Sequence, residues 1–382
     1  MHCGIEFEYL LIDLGGATPA RLRDFSNLPF EQISAWLEDK PGRDDAELAT
    51  GDLGIKRGYW YLEGNERFHD DGRFRTLDVK GVEIRTPPAA DVETALQRLL
   101  AIETQLSAAL ARHGLGLAIA AFNPVRAPYA YEPPLNAWEA AMRAEHRAYD
   151  GSHISTLSYG PDINLSMPGW SNAQCLDATR KLQHYAPWIV PFSFASPFAH
   201  GRRWPGWSKR THERAPLRPA VKLFLDAQAL AAPELASTLV HPARIAREVG
   251  RIEFKAFDAM PDLAVLRGCC HLLVGVCLAG DLSARSETAD VALYQRAARL
   301  GFADAQLREG AEQLLTSARA ALLAHGDAVG AQALAPLFAM LQAQRTPAHA
   351  LVEQWESGGP MFKPGGFASP APAQDSLEAR SA

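Results

Sequence analysis

An α+β fold is what this chain predicts, on three observations. Short strand-like segments recur through its first two-thirds, at 4–13, 82–85, 115–121, 157–167, 189–194, 220–225 and 251–257. From Asp262 to about Trp355 the sequence turns helical and rich in Ala and Leu, with no repeat of fixed period. Strands and helices do not alternate as a doubly wound parallel sheet requires.

The first strand places Glu6 and Glu8 on one face and Ile5, Phe7 and Tyr9 on the other, because strand side chains alternate. Residues 23–72 mix short apolar pieces with Pro, Gly and charge and read as loops around a short helix. The strand at 82–85 is stopped by Pro87–Pro88. Asp91 then caps an amphipathic helix carrying Leu99, Ile102, Leu106 and Leu110, ended by Gly114. A charged helix is expected around 138–149 and another over 172–185. The segment 196–219 is a loop rich in Gly, Pro, Trp and Arg. The end, 358–382, is rich in Pro, Gly, Ser and Ala and reads as a disordered tail. The expected organisation is one catalytic domain over 1–357, mainly helical from 262.

Of 382 residues, 47% are apolar and 21% charged, enough for a large core. The formal charge of -6 comes without a basic block, which disfavours nucleic acid as a partner. The longest apolar stretch, 263–282, is broken by Arg267, His271 and Asp281, so no membrane span is expected. No signal peptide is evident at the N-terminus. Five irregularly spaced cysteines without a CxxC pair read as buried free thiols, and the expected setting is cytoplasmic.

P-loop, dinucleotide-binding, zincin and nucleophile-elbow motifs are absent. The unusual feature is the placing of carboxylates. Glu6, Glu8, Glu83, Asp162 and Glu253 all lie within apolar strand segments, where a charge needs a partner or a shifted pKa. Carboxylates converging from neighbouring strands repel unless a cation lies between them. Hard oxygen ligands without Cys or paired His favour Mg²⁺ or Mn²⁺ over zinc. The residues alone therefore point to a divalent-metal site on an antiparallel sheet.

The order of these segments carries a further signal. Gly4-Ile-Glu-Phe-Glu8, Val82-Glu-Ile-Arg-Thr-Pro87 and Gly160-Pro-Asp-Ile-Asn-Leu-Ser166 are followed by Ser193-Phe-Ala-Ser-Pro-Phe198, Ser208-Lys-Arg210 and Arg251-Ile-Glu-Phe-Lys-Ala-Phe-Asp258. Over roughly residues 4–280 the sequence resembles the glutamate–cysteine ligase family, including its carboxylate–amine ligase branch. That resemblance implies a glutamine-synthetase-like fold: a largely antiparallel sheet with an acidic metal-binding face, helices on the other side and a helical C-terminal part. It implies that Glu6, Glu8, Glu83 and Glu253 bind catalytic Mg²⁺ and that Lys255 contacts phosphate. It further implies that Ser208 and Arg210 help to bind nucleotide or substrate. Three departures stand out. Lys255 replaces the usual arginine, Asp162 stands where histidine is general, and 43–80 match poorly, leaving Glu63, Asp78 or neither as a further ligand.

The resemblance implies ATP-dependent joining of the glutamate side-chain carboxylate to the cysteine amine through an acyl phosphate, with ATP and Mg²⁺ or Mn²⁺ as cofactors. Its partners are then small-molecule substrates, and a homo-oligomer is compatible with it. A metal-dependent phosphotransferase, or a related ligase with another amine, fits the same residues. Arg210 sits among Arg202, Arg203, Lys209 and Arg214, as either a solvated basic loop or an anion clamp. Asn164 shares the face of Asp162, to orient a ligand or to satisfy a sheet neighbour. Arg143 and Arg147 read as surface helix charges, Arg143 being also a candidate for a substrate carboxylate.

Overall fold

Strand β1 (His2–Asp13) organises the computed structural model, which describes residues 1–15, 21–49, 55–126, 128–145 and 152–368. Its alternation is the expected one. Ile5, Phe7 and Tyr9 are fully buried, whereas Glu6 and Glu8 on the opposite face are half-buried. After it come β2 (Leu22–Arg23), α1 (Phe30–Trp36), β3 (Trp60–Phe68), β4 (Phe74–Arg85), α2 (Val92–Ala111) and β5 (Leu115–Ile119). The middle of the chain forms α3 (Ala137–Glu145), α4 (Ser152–Leu157), β6 (Pro161–Ser166), α5 (Asn172–Ile189), β7 (Phe198–Ala199) and β8 (Arg202–Arg203). Next are α6 (Lys209–Arg214), β9 (Val221–Leu225), α7 (Ala227–Leu230), β10 (Val240–Pro242) and β11 (Arg251–Phe254). The helical part holds α8 (Leu263–Leu278), α9 (Val291–Leu300), α10 (Ala305–Ala324), α11 (Ala328–Ala333), α12 (Ala335–Ala343) and α13 (Pro347–Glu356), before β12 (Lys363–Pro364).

The main path of the sheet runs β10-β9-β11-β6-β1-β4-β3 and is antiparallel except between β9 and β10. Twelve residues let β1 serve two sets of partners. Residues Glu6–Tyr9 pair with β4 and His2–Phe7 with β6, while Leu10–Asp13 pair with β5. Helix α2, capped by Asp91 as expected, packs on β1, β4 and β5; α5 packs on β9 and β11. Helix α8 lies behind both, against α2, α5 and α10, and is buried nearly all round. All five cysteines are buried free thiols. The α+β class therefore holds, with an acidic face of the sheet turned away from these helices. No helix among the described residues is long and apolar enough to cross a membrane.

Four expectations are corrected. Residues 23–72 contain a full strand, β3, hidden because Glu63, Gly64, Asn65 and Glu66 break the apolar alternation. The segment 189–194 is not a strand: α5 runs to Ile189 and a 3-10 turn takes Val190–Ser193. A short buried apolar run does not by itself distinguish the two states. The segment 157–167 divides, α4 ending at Leu157 and β6 starting at Pro161. The tail does not begin at 358. β12 pairs with β5, and the buried carboxylate of Glu103 accepts the N–H groups of Phe367 and Ala368. Residues 369–382 lie outside the described residues, as do Arg147 and the end of the helix expected at 138–149.

Candidate metal and phosphate site

Register brings the carboxylates together. Glu6 stands opposite Asp162 of β6, and Glu8 opposite Glu83 of β4. Beyond β4, Tyr61 of β3 faces Glu83 and Glu63 faces Gly81. Two groups of acidic oxygens result, Glu6–Glu83–Asp162 and Glu8–Glu63–Glu83, each with its oxygens within 4.8 Å of one another. Oxygens around one Mg²⁺ or Mn²⁺ lie at most about 4.2 Å apart, so side chains this close fit such an ion after small adjustments. Glu83 belongs to both groups. Its carboxyl is pushed well above the carboxylate range by burial and by Glu63, Glu6, Glu8 and Asp162. Glu6 is raised likewise by burial, Glu253 and Asp162, against a weaker pull from Lys255 and Arg251.

Cations line the rest of the face. Lys255 pairs with Asp162 and lies 3.3 Å from Glu253, so both expected residues of the late strand do share one side. Burial would strip the Lys255 proton, but Asp162, Glu253 and Glu6 outweigh it and hold the ammonium charged. Glu253 also accepts from Arg251 at 3.0 Å. Burial opposes its ionisation, yet Lys255 and Arg251 bring its pKa down to about 2. Asn164 stands between, its amide donating to Glu6 at 3.2 Å and its carbonyl accepting from Arg251, which orients Glu6. At the other end Lys80 pairs with Glu8, and Lys56 pairs with Glu63. Despite burial, Lys56 and Lys80 bring Glu63 down to about 2. Arg85, though opposite Glu6, turns its guanidinium to the carbonyls of Gly58, Leu48 and Lys56.

Ser208 and Arg210 are placed differently from the expectation. The Ser208 hydroxyl is fully buried, caps α6 by accepting the Thr211 N–H at 2.9 Å, and donates to Asp258 at 2.9 Å. With its donor and acceptor engaged in the core, it has a structural task. Arg210 donates to the backbone carbonyls of Ala256 and Lys255 at 3.1 and 3.2 Å. It thus holds the backbone behind Lys255. Gly160 makes room for it, since a Cβ there would sit 2.4 Å from the guanidinium and 2.3 Å from the Phe257 carbonyl. The 196–219 segment is not a solvated basic loop: Arg203 donates to the carbonyls of Pro197, Trp204 and Gly206 and lies over Trp207.

Of the residues left open, Glu63 joins the face, whereas Asp78 is held by Tyr129 and Arg67. Arg143 is not a surface charge. It is buried, donating to Asn65 and to the Glu66 carbonyl. Sequence reading missed Lys56 and Lys80. The chain's preference for arginine was a usable signal: only eight lysines occur, and three of them sit among these carboxylates.

The raised Glu83 pKa has a measurable sign. Between its ordinary value near 4.5 and the higher folded value, the native state binds the extra proton, so stability falls as pH rises through that window. Glu83→Gln lacks this titration. In metal-free buffer its melting temperature should match the native protein near pH 4.5 and exceed it increasingly toward neutral pH. A gap independent of pH would contradict the raised pKa of Glu83.

Alongside the acidic face, at the N-terminal end of β1, lies a cavity of about 610 Å³ bordered by His2, Gly4, Asn164, Trp170 and Arg251. A family model for glutamate-cysteine ligase family 2 matches residues 3–218, more than half of the chain. A curated relative, the glutamate–cysteine ligase EgtA of Mycobacterium tuberculosis, is 28% identical over 131 residues, covering 33% of this chain. The chain matches only 29% of that relative's length. Among solved structures, a bifunctional glutathione synthetase from Pasteurella multocida aligns at a TM-score of 0.48 with 14% identity, over 94% of this chain and 50% of that one. The complex between the prokaryotic ubiquitin-like protein Pup and its ligase PafA aligns at 0.48 with 11% identity, over 94% and 69%. The family match spans β1, β4 and β6, the strands that supply Glu6, Glu8, Glu83 and Asp162. By that match the chain belongs to glutamate–cysteine ligase family 2.

Proposed function

We propose that this protein is an ATP-dependent carboxylate–amine ligase that joins the side-chain carboxylate of glutamate to the amine of cysteine. The observation that carries the reading is the meeting of Glu6, Glu83 and Asp162 beside Lys255 on one face of the sheet. In the proposed reaction a glutamate oxygen attacks the γ-phosphorus of ATP, the bond to ADP breaks, and an acyl phosphate forms. The cysteine amine then attacks the acyl carbon, loses a proton, and phosphate leaves.

Such chemistry asks for compensation of phosphate charge, in-line placement and exclusion of water, with no protein nucleophile. A divalent ion held by Glu6, Glu83 and Asp162 would supply Lewis-acid compensation for the transferred phosphoryl group. Lys255 offers an ammonium at the same edge, held by Asp162 and Glu253, and Arg210 fixes its backbone. Asn164 and Arg251 hold Glu6 and Glu253 in register. The neighbouring cavity is within the size range of small-molecule sites, and Trp170 and Arg251 on its border supply an aromatic face and a cation.

The test is amino-acid-dependent ADP release over pairs of amino acids, with the product mass determined. Glutamate with cysteine and Mg²⁺ or Mn²⁺ should give the amide, glutamine in place of glutamate should give none, and excess EDTA should stop turnover. A better amine than cysteine would reassign that substrate within the family. Full activity in EDTA, or failure of hydroxylamine to trap an acyl phosphate from any acid, would overturn the mechanism.

A further inference from the structure

Six carboxylates form the acidic face, and four of them have a cation within ion-pair distance. Lys80 holds Glu8, Lys56 holds Glu63, Lys255 holds Asp162, and Arg251 with Lys255 holds Glu253. Among the described residues Glu6 and Glu83 have no such partner, and these two face each other across the first oxygen group. Two unpaired carboxylates match the charge of one divalent ion.

Lys80 is unlike the other two lysines. Its side chain is 4% exposed, against 32% for Lys56 and 25% for Lys255. Besides Glu8, its ammonium donates to the Ser158 carbonyl at 2.9 Å and lies 5.3 Å from the centre of the Tyr159 ring. The second Glu8 oxygen accepts the Gly160 N–H at 2.8 Å, so neither oxygen of Glu8 is bare. A β-bulge produces this arrangement. Glu63 pairs with Gly81 and Gly64 with Val79, which leaves Lys80 as the extra residue and aims its side chain at the acidic face. Gly81 is required beside it, because a Cβ there would sit 2.0 Å from the Tyr9 carbonyl.

We propose that Lys80 is a built-in cation standing in for a second metal ion at Glu8, so that without nucleotide the protein keeps one divalent ion, between Glu6, Glu83 and Asp162. The inference rests on the metal-dependent reading of this face. A tethered ammonium supplies one fixed charge that chelators do not remove, and it leaves Glu8 to position Lys80 and the Gly160 backbone instead of ligating. Any further ion then enters with the phosphates of the nucleotide.

Counting bound Mn²⁺ on the full chain without nucleotide, from the resonance of the free ion, tests this. The native protein should bind one ion tightly, Glu8→Gln should still bind one, and Glu83→Gln should bind none. Lys80→Met should bind two, because Glu8 regains a free oxygen beside Glu63 and Glu83. Two or more ions on the native protein, loss of the ion in Glu8→Gln, or a count of one on folded Lys80→Met would overturn the role of Lys80 alone. No bound ion on the native protein would overturn the metal reading with it. Should Lys80→Met not fold, the native and Glu8→Gln counts still decide.

Discussion

Glu6→Gln is expected to abolish amide formation, by about 100- to 1000-fold or more, while leaving the protein folded. The glutamine keeps the shape and can still accept from Asn164, which now donates to Glu6 at 3.2 Å. Among the described residues it removes one of the two carboxylates of the acidic face that lack a cationic partner, and with it a charge that the proposed ion would need. Losses of that size are typical when one preorganised electrostatic contact to a transition state is removed. Stability should move the other way. Burial and the neighbouring Glu253 and Asp162 raise the Glu6 pKa, so its ionised form is a repulsive element of the metal-free fold. In EDTA at neutral pH the variant should melt a few degrees higher than the native protein, and Mg²⁺ should stabilise it less. Near-native turnover by Glu6→Gln would remove Glu6 from the site.

Lys255→Met should lose about 100-fold or more in turnover at saturating Mg²⁺ and ATP. An ordinary surface ion pair would contribute only about 0–1 kcal/mol to stability and nothing to catalysis. The geometry is different here, because Lys255 serves two carboxylates, and Glu253 is itself buried. Removing the ammonium leaves those charges facing one another. The melting temperature in metal-free buffer should therefore fall, and added Mg²⁺ should restore part of it. Lys255→Arg should recover much of both losses, since the guanidinium keeps the charge and can fork between Asp162 and Glu253. Normal turnover by Lys255→Met, at low as well as saturating ATP, would show that Lys255 takes no part in phosphate transfer.

The strands that matter most for chemistry were legible because their pattern is local. Alternation in β1 assigns Glu6 and Glu8 to one face whatever they pair with, and a spacing of two does the same for Glu253 and Lys255. The Asp91 cap and the apolar stripe of α2 are equally local signals. Where charges and a glycine interrupt the alternation, as in β3, the period disappears and the strand with it, although Glu63 stands on the acidic face. The hydrogen bonds of Ser208 were only half legible, because its cap on α6 is local but the Asp258 carboxylate that accepts from it comes from 50 residues away. Residue order alone showed which side chains were available, that carboxylates sat where apolar strands must pack, and which way the first strand faces. Which carboxylates meet, and which cation each receives, follows from how the strands come together in space. Register between strands distant in the chain, and one bulge at Lys80, set those distances, and electrostatic partnership depends on distance across strands, which the order of residues does not contain.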